Sequence, residues 1–401
     1  KMPFYEGIGL ISEKAAVVID IGSAYTKCGF AGETSPRSII PTEVIDPVSL
    51  KVKKVRNYKN EYELGNLLAH LLHQLYYKCL LVNPKDQRLV IIESMLSPMV
   101  FRNTLVKVLF TKFEVPSILI VPSHVVSLFT LKLSCALVVD AGFIDTVVLP
   151  VYEGYPVLKA IEDMPLGAQS IHCNLKELIQ ENCFVKAQNE ELIAMHRHKN
   201  LLNESLLEDI KVRLCCVTTL SRSKSISSQD PQFQEMPGVD YPLGGESCVI
   251  IPGIIREKAC EALFEQDNDQ VSISTMILDS ILKSPVDIRK SLAENILFIG
   301  GTSMTAGFKS RILEEVNFLV TTERYKNRIG IKTFKVHTPP SRENYTAWLG
   351  GAILGTTDLV ISKAFTKDQF SKHQAIPDWC SLLTFYEDDN PTLSIAEKLK
   401  S

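Results

Sequence analysis

The stretch that decides the fold reads AVVIDIGSAYTKCGFAG and spans residues 16–32. Its β-branched start predicts a buried strand, and its end predicts a second strand that returns after a tight turn at Gly22. Such a hairpin can aim several backbone N–H groups at one point, which is one way to hold a phosphate. Lys27 adds positive charge there, and Asp20 can hold a hydrated divalent cation. An ordinary tight hairpin is the alternative, because short glycine motifs often match by chance.

A second stretch repeats the first. Residues 136–149 read ALVVDAGFIDTVVL, again an apolar strand, an aspartate, a small residue, a glycine and a second apolar strand. Asp140 and Gly142 follow Asp20 and Gly22 by the same interval of 120 positions. Two such hairpins predict a duplicated unit, with a phosphate chain and its cation held between the two halves.

Length and composition set the outer limits. The chain has 401 residues, 45% hydrophobic and 22% charged, as in globular proteins of two or more domains. A net charge of −3 gives no reason to expect nucleic acid as a partner. The 10 cysteines have no zinc-ligand spacing, which indicates reduced thiols in a cytoplasmic protein. We also expect no membrane span and no signal peptide, since no apolar run approaches ~18 residues.

The remaining pattern alternates helices and strands. Residues 42–60 are polar and basic, with weak strand character, and 184–204 are irregular. Residues 221–238 are expected to form a flexible insert, 240–245 a turn, and Ser123 a helix N-cap. Apolar spacing predicts helices over 61–77, 100–113, 123–131, 169–181, 206–220, 254–264, 272–283, 288–293 and from about 307, and strands over 88–93, 115–121, 247–251, 296–299 and 334–336.

A third motif is a Gly-Gly turn at the end of the strand over 296–299. Gly300 and Gly301 are followed by the hydroxyl residue Thr302 and lead toward a helix. Such a turn suits close approach by a nucleoside or a phosphate. A plain strand-to-helix turn is the alternative.

These motifs together resemble one superfamily, actin and the actin-related proteins. They occur in the order found in actin and cover nearly the whole chain. The resemblance rests on the first hairpin through Cys28-Gly29-Phe30-Ala31-Gly32, and on Val151-Tyr152-Glu153-Gly154-Tyr155, Asp209-Ile210-Lys211, Asp287-Ile288-Arg289-Lys290, Gly300-Gly301-Thr302-Ser303-Met304 and Trp348-Leu349-Gly350-Gly351.

Within the superfamily, the short segment after Arg37 and residues 376–383 are most similar to the actin-related proteins at the pointed end of the dynactin complex. This resemblance implies a cytoplasmic, cytoskeletal protein. Its partners would be actin-related filament subunits, dynactin pointed-end accessory subunits and, indirectly, dynein.

The resemblance also implies the α/β actin-like ATPase fold, in which two ribonuclease-H-like halves surround a nucleotide cleft. The first large subdomain would comprise residues 1–41, 61–132 and 345–401, with a reduced small subdomain over 42–60. The second large subdomain would comprise 133–166 and 268–344, with its small subdomain over 167–267.

The implied cofactor is ATP or ADP with Mg. Asp20 and Asp140 would hold the cation through water. The nucleotide-binding residues would be Gly22, Ser23, Ala24, Tyr25 and Lys27 in the first half, and Asp140, Ala141, Gly142, Lys211, Gly300, Gly301, Thr302 and Met304 in the second.

Several positions depart from actin where hydrolysis takes place. Phe143-Ile144 stand where actin has Asp-Gly, so backbone freedom beside the γ-phosphate is lower. Ser123 replaces the glutamine that orients the attacking water, and Val147 replaces a histidine; the neighbouring His124 is a possible substitute for the glutamine. Since such groups typically contribute ~10²–10⁴-fold in rate, we expect very weak hydrolysis or none, and no catalytic residues.

The filament contacts depart as well. The segment over 38–60 is shorter than in actin, and the loop over 265–269 is polar. A subunit with one intact and one reduced filament surface joins an end without extending it, so we expect a pointed-end cap. The alternatives are an ATP-hydrolysing actin-related protein that polymerises, a subunit of a nuclear chromatin-remodelling complex and, more distantly, a sugar kinase.

Overall fold

A computed structural model describes residues 15–45, 50–186, 192–195, 201–228, 233–244, 247–265 and 270–373. Two interpretations fall outside these ranges: the polar loop beyond Glu265, and the similarity carried by residues 376–383.

The strands follow the predicted hairpins and add short pairs between them. They are β1 (Val17–Ile21), β2 (Tyr25–Phe30), β3 (Ser38–Pro41), β4 (Glu43–Ile45), β5 (Val52–Lys54), β6 (Leu89–Glu93), β7 (Ser117–Pro122), β8 (Cys135–Ala141), β9 (Thr146–Tyr152), β10 (Tyr155–Pro156), β11 (Glu162–Met164), β12 (Phe184–Lys186), β13 (Leu192–Ala194), β14 (Val239–Gly244), β15 (Ser247–Ile251), β16 (Ile296–Ile299), β17 (Val336–His337) and β18 (Phe365–Thr366).

The α-helices lie between these strands. They are α1 (Glu61–Gln74), α2 (Met99–Thr111), α3 (Ser123–Ser127), α4 (Ala168–Asn182), α5 (Glu204–Leu214), α6 (Leu220–Ser227), α7 (Gly253–Lys258), α8 (Ile273–Lys283), α9 (Val286–Glu294), α10 (Phe308–Leu319), α11 (Thr346–Leu354), α12 (Leu359–Ser362) and α13 (Lys367–His373). A π-helix continues α1 over Leu75–Leu80, and 3₁₀ turns cover Pro84–Asp86, Leu128–Thr130, Leu158–Ala160, Glu261–Leu263, Thr302–Met304 and Glu343–Tyr345.

Two mixed sheets share one topology, as the predicted repeat requires. The first has the order β18-β7-β6-β1-β2-β3, and the second has the order β10-β9-β8-β16-β17, with β11 beside β9. In the first sheet the hairpin β1–β2 continues into the parallel strands β6 and β7. In the second, the hairpin β8–β9 continues into the parallel strands β16 and β17. Small sheets β13-β12-β15-β14 and β4-β5 complete the described strands.

The chain divides into two compact units. The first contains the described residues up to Leu131 and from Ala347 onward, and the second runs from Lys132 to Thr346. Each unit carries one of the two hairpins and one large sheet. The finer division into four subdomains stays a prediction.

The core of the first unit includes the tryptophan of α11 and the leucine face of α1. Trp348 in α11 is fully buried, and its indole N–H donates to the Val18 carbonyl oxygen at 3.1 Å. A Cβ on Gly29 would lie 2.7 Å from the Trp348 ring, so this strand position admits only glycine. The amphipathic face of α1 is buried as its spacing predicts, through Leu64, Leu67, Leu68, Leu71 and Leu72.

The predicted helix over 206–220 is wrong in its second half, because α5 ends and α6 begins within it. Between the two helices the backbone is held by distant partners. The N–H of Cys216 donates to the Arg256 carbonyl oxygen at 3.1 Å. The N–H of Val217 donates to the Ala306 carbonyl oxygen at 2.8 Å. Tertiary hydrogen bonds therefore override a continuous helical pattern.

The predicted flexible insert over 221–238 is wrong in its first part, which is helix α6. The Arg222 guanidinium pairs with the buried Glu257 carboxylate, and the Ser223 hydroxyl donates to Glu261 at 2.7 Å. A serine-rich helix of low hydrophobicity is thus stabilised by polar contacts to a buried neighbour, which composition does not reveal.

Three further local predictions are wrong. The stretch over 240–245, which was expected to be a turn, includes most of strand β14. The stretch over 184–204, which was expected to be irregular, includes β12 and β13. These strands are stabilised by pairing: β14 and β12 pair with β15, and β13 pairs with β12. Pro122, not Ser123, occupies the cap position of α3, and the Ser123 hydroxyl instead lies 3.2 Å from Nδ1 of His124.

Across the described ranges no helix combines the length and the apolar character that a bilayer crossing requires.

Gly350→Ala should destabilise the protein by about 1–3 kcal/mol through overpacking. A Cβ at this position would lie 1.9 Å from the Val126 carbonyl oxygen, although alanine normally favours a helix. The measurement is the free energy of unfolding in urea. Gly330→Ala is the matched control, since no atom lies within 4 Å of its Cβ position. Equal stability of the Gly350 variant and the unmodified protein would contradict this packing.

Candidate functional site

The first hairpin forms the predicted turn. The Gly22 N–H donates to the Tyr25 carbonyl oxygen at 3.1 Å, and a Cβ on Gly22 would lie 2.7 Å from the same oxygen, so the turn requires glycine. Asp20 and Lys27 are cross-strand partners, and their side chains form an ion pair at 2.9 Å. The predicted cation ligand and the predicted phosphate-binding lysine therefore lie together and neutralise each other.

Two backbone amides in this turn are available to a ligand. The N–H groups of Ser23 and Ala24 have no acceptor among the described residues, and the Tyr25 side chain is 42% exposed. Adjacent unpaired amides in a turn form a concave donor set that suits an anion. The predicted phosphate-facing residues of the first half thus present donors of the right kind.

A second positively charged side chain, that of Arg56, contacts the same hairpin. Its guanidinium donates to the Ile21 carbonyl oxygen at 2.9 Å and stacks over the Phe101 ring, 3.9 Å from its centroid. The sequence analysis placed this residue in a polar and basic segment with weak strand character. Its contact with the end of β1 adds positive charge beside the turn.

The turn of the second hairpin contains the same glycine hydrogen bond as the turn of the first. The Gly142 N–H donates to the Asp145 carbonyl oxygen at 2.9 Å, the counterpart of the Gly22 bond 120 positions earlier. Asp140 is paired in register with Val147, whereas the first hairpin has a lysine at that place. The scaffold is conserved between the two halves, but the ion pair is not.

The Gly-Gly turn lies directly against the second hairpin. Gly300 has φ +90°, and a Cβ there would lie 2.2 Å from the Ala141 carbonyl oxygen and 2.8 Å from Oδ1 of Asp140. The Thr302 hydroxyl donates to the Gly142 carbonyl oxygen at 2.5 Å. The structure therefore brings the predicted residues Asp140, Ala141, Gly142, Gly300, Gly301 and Thr302 into one place.

Lys211 forms an ion pair with a carboxylate on its own helix, α5. Its ammonium lies 2.6 Å from the Glu208 carboxylate, which also lies 2.9 Å from Nε2 of His172. Within the described ranges no hydrogen bond or ion pair joins Lys211 to the Gly-Gly turn. Burial alone would raise the pKa of Glu208, but hydrogen bonds from His172 and Lys211 and the Lys211 charge outweigh it and lower the pKa to about 2.

Phe143, which stands where actin has aspartate, packs against His172, the neighbour of Glu208. Its ring meets the His172 ring edge-on, with centroids 5.6 Å apart. A Cβ on Gly167 would lie 2.5 Å from the Phe143 carbonyl oxygen, so the neighbouring chain fits closely around the turn. Phe143 is thus built into the second unit as a packing residue.

The positions assigned to water orientation in actin are also occupied differently here. Val147 is buried and cannot exchange a proton. His124, considered as a substitute for the glutamine, is fully buried, and its Nδ1 faces the Ser123 hydroxyl.

The residues present fit a nucleotide with a divalent cation in chemical type. The first turn offers two unused amides, and the space around the Cβ position of Gly301 is open to 4 Å. No group of three or more His, Cys, Asp or Glu gathers within the described residues. Asp20 or Asp140 would hold Mg²⁺ through water and phosphate oxygens, as this cation commonly permits, and the cation would neutralise phosphate charge. The individual site assignments stay predictions.

The sequence analysis missed Glu208 and His172. Glu208 lies three residues before Lys211 on α5, a spacing that could have suggested an ion pair. His172 comes from another helix, α4, and no sequence signal links the two.

Glu208→Gln should destabilise the protein by about 2–3 kcal/mol at neutral pH, since the buried Lys211 loses its anion. Because the folded state lowers the pKa of Glu208, this stabilisation is complete above its ordinary value of 4.5 and is lost as pH falls toward about 2. Urea unfolding across this range measures the difference, with the exposed Glu181→Gln as control. A difference that does not shrink in acid would refute the role of the carboxylate charge.

The chain is similar to known proteins over most of its length. The family model described as Actin matches residues 11–376. Actin-related protein 10 of Dictyostelium discoideum is 30% identical over an alignment of 435 positions, gaps included, which covers 92% of this chain and 90% of that protein. The match confirms the predicted actin fold, to which the two mixed sheets of like topology conform. This chain belongs to the actin family.

Proposed function

We propose that this chain is a non-catalytic actin-related subunit that caps the pointed end of the dynactin filament and docks accessory subunits. In this role it supports dynein-driven transport along microtubules in the cytoplasm. The observation that carries the proposal is the reduced segment over 42–60. Its described strands, β4 and β5, have three residues each and form a separate two-stranded sheet.

The filament argument is one of surface complementarity. A filament grows when each subunit offers two different surfaces that fit each other. In actin the small subdomain at this place carries the loop that inserts into the next subunit. Here Val44 is buried, and the small sheet packs against α1. With only this remnant among the described residues, the subunit would lack one of the two surfaces that growth requires.

The second part of the proposal concerns the nucleotide. Members of the actin family generally bind an adenine nucleotide with Mg, and we propose that this chain retains binding and has little or no hydrolysis. One support is Val147, which lies opposite Asp140 and carries no titratable group. The other is Phe143, whose ring packs on His172. The bound nucleotide would then act as a structural cofactor.

The alternatives receive no specific support. A polymerising ATPase would need the loop surface and the proton-exchanging groups that this chain replaces. No observation favours a chromatin-remodelling partner or a sugar substrate. The similarity to Actin-related protein 10 is neutral between these roles, since that name states no partner.

Purified protein should stop elongation at the pointed ends of preformed actin-related filaments at substoichiometric amounts, because a bound copy offers no surface to the next subunit. Single-filament fluorescence microscopy measures growth at each end. Conventional actin on its own preformed filaments is the control, since it polymerises and sediments by itself. Sedimentation of this chain alone as filaments would reject the proposal.

Phosphate release from the ATP-loaded protein should be at least about 100-fold slower than from actin filaments, because the water-orienting groups are replaced. Chromatography of the bound nucleotide over several hours measures the ATP-to-ADP ratio. Actin assembled under the same conditions serves as the reference. Turnover at the rate of actin would overturn the non-catalytic assignment while leaving the capping test intact.

A further inference from the structure

Two free thiols meet in the core of the first unit. Cys28 is fully buried in β2. Cys79 lies in the π-helix Leu75–Leu80, where it is half-buried and packs against the same core. The strand and the π-helix pack on each other, and the side chains of the two cysteines form a hydrogen bond. Two elements that are far apart in the sequence therefore bring one sulfur next to the other.

The two cysteines differ in how they can react. Burial, with smaller contributions from Cys79, raises the pKa of the Cys28 thiol to about 12, so this sulfur stays protonated at neutral pH. Cys28 has no exposed surface, whereas Cys79 is partly exposed. A small oxidant in solution therefore meets Cys79 first, and Cys28 is protected until its neighbour has reacted.

The position of Cys79 favours a covalent link without a change of fold. A disulfide needs two sulfur atoms that face each other and approach to about 2 Å, and thiols joined by a hydrogen bond already face each other. Cys79 is one residue from the end of the π-helix at Leu80, and backbone at the end of a helix moves at low cost. A π-helix is also rare, and where it occurs it is often found at a functional site.

We propose that Cys28 and Cys79 are a modification site at which hydrogen peroxide forms a reversible disulfide. Peroxide first oxidises the Cys79 thiol to a sulfenic acid, and one water is released. The Cys28 sulfur then attacks the Cys79 sulfur, and the leaving hydroxide takes the Cys28 proton to form a second water. The two thiols give up two electrons and two protons in total, and the peroxide is reduced to water. A dithiol reductant reverses the bond by thiol–disulfide exchange.

The disulfide would join the first hairpin to the helix that follows it in the fold. Cys28 is the neighbour of Lys27, whose ammonium pairs with Asp20 across the hairpin. A bond from β2 to the π-helix would therefore stiffen the strand that carries this ion pair. In proteins of reducing compartments such a bond is usually transient and senses oxidants.

The test treats the folded chain with hydrogen peroxide, blocks the remaining thiols with N-ethylmaleimide in denaturant and digests the product with trypsin without reductant. Trypsin releases Cys28 in residues 28–37 and Cys79 in residues 79–85, because a lysine or an arginine stands at each cut. Mass spectrometry should detect these two peptides joined, lighter by two hydrogens than the sum of the separate peptides. Dithiothreitol should separate them.

The melting temperature gives a second readout. Oxidation should raise it by roughly 5 °C or more, because the bond closes a long loop in the unfolded chain, and dithiothreitol should reverse the rise. Cys79→Ser should abolish both the joined peptides and the rise. Cys173→Ser, at an exposed cysteine of the other unit, is the matched control and should keep both. If the serine variant does not fold, Cys28→Ala provides the same comparison.

Three results would overturn the proposal. The first is Cys28 recovered with N-ethylmaleimide attached while Cys79 is oxidised to a sulfinic acid, since the buried thiol would then have failed to react. The second is a joined peptide in which either cysteine is linked to a different one. The third is a rise in melting temperature that persists in Cys79→Ser. The joined pair, with a reversible rise that this variant loses, supports the proposal.

Discussion

One hydrogen bond organises each unit: a glycine N–H that donates to the carbonyl oxygen three residues later, from Gly22 to Tyr25 and from Gly142 to Asp145. It sets the point at which the two strands of each hairpin separate, and with it the position of the aspartate two residues before the glycine, near the end of the first strand. In the second unit, the end of β16 can lie against that turn only because Gly300 has no side chain. The strand ends, the 3₁₀ turns and the helix that follows all depend on this close approach.

The two hairpins share their backbone geometry and differ in the side chains that face their aspartates. Their turn bonds match, and Thr26 and Thr146 are both fully buried at equivalent positions. The charges differ, since Asp20 faces Lys27 while Asp140 faces Val147. A buried valine in a strand costs nothing in packing, so the fold tolerates loss of the charged group. The backbone geometry of the hairpin can therefore persist while the residue opposite its aspartate changes.

The parts of the fold that could be predicted are those with strong local periodicity. The hairpins, the leucine face of α1 and the capping serine of α8 at Ser272 follow from short-range rules. Helix α6 could not be predicted, because its stability depends on Glu257 and Glu261, which are distant in the chain.

The same division holds for the candidate site. The aspartates and glycines could be placed because turns restrict which residues fit. The partners of Lys211 and the approach of Arg56 to Ile21 could not, because long flexible side chains reach groups that no local pattern specifies.

The carboxylate of Glu208 has a consequence for binding kinetics. A ligand that engages the Lys211 ammonium has to exchange places with an anion already 2.6 Å away and itself held by His172. Association at this lysine is therefore a substitution reaction, whose barrier includes breaking the resident pair. A protein that binds its nucleotide once and keeps it can accept such slow exchange, whereas an enzyme that must reload after every turnover cannot.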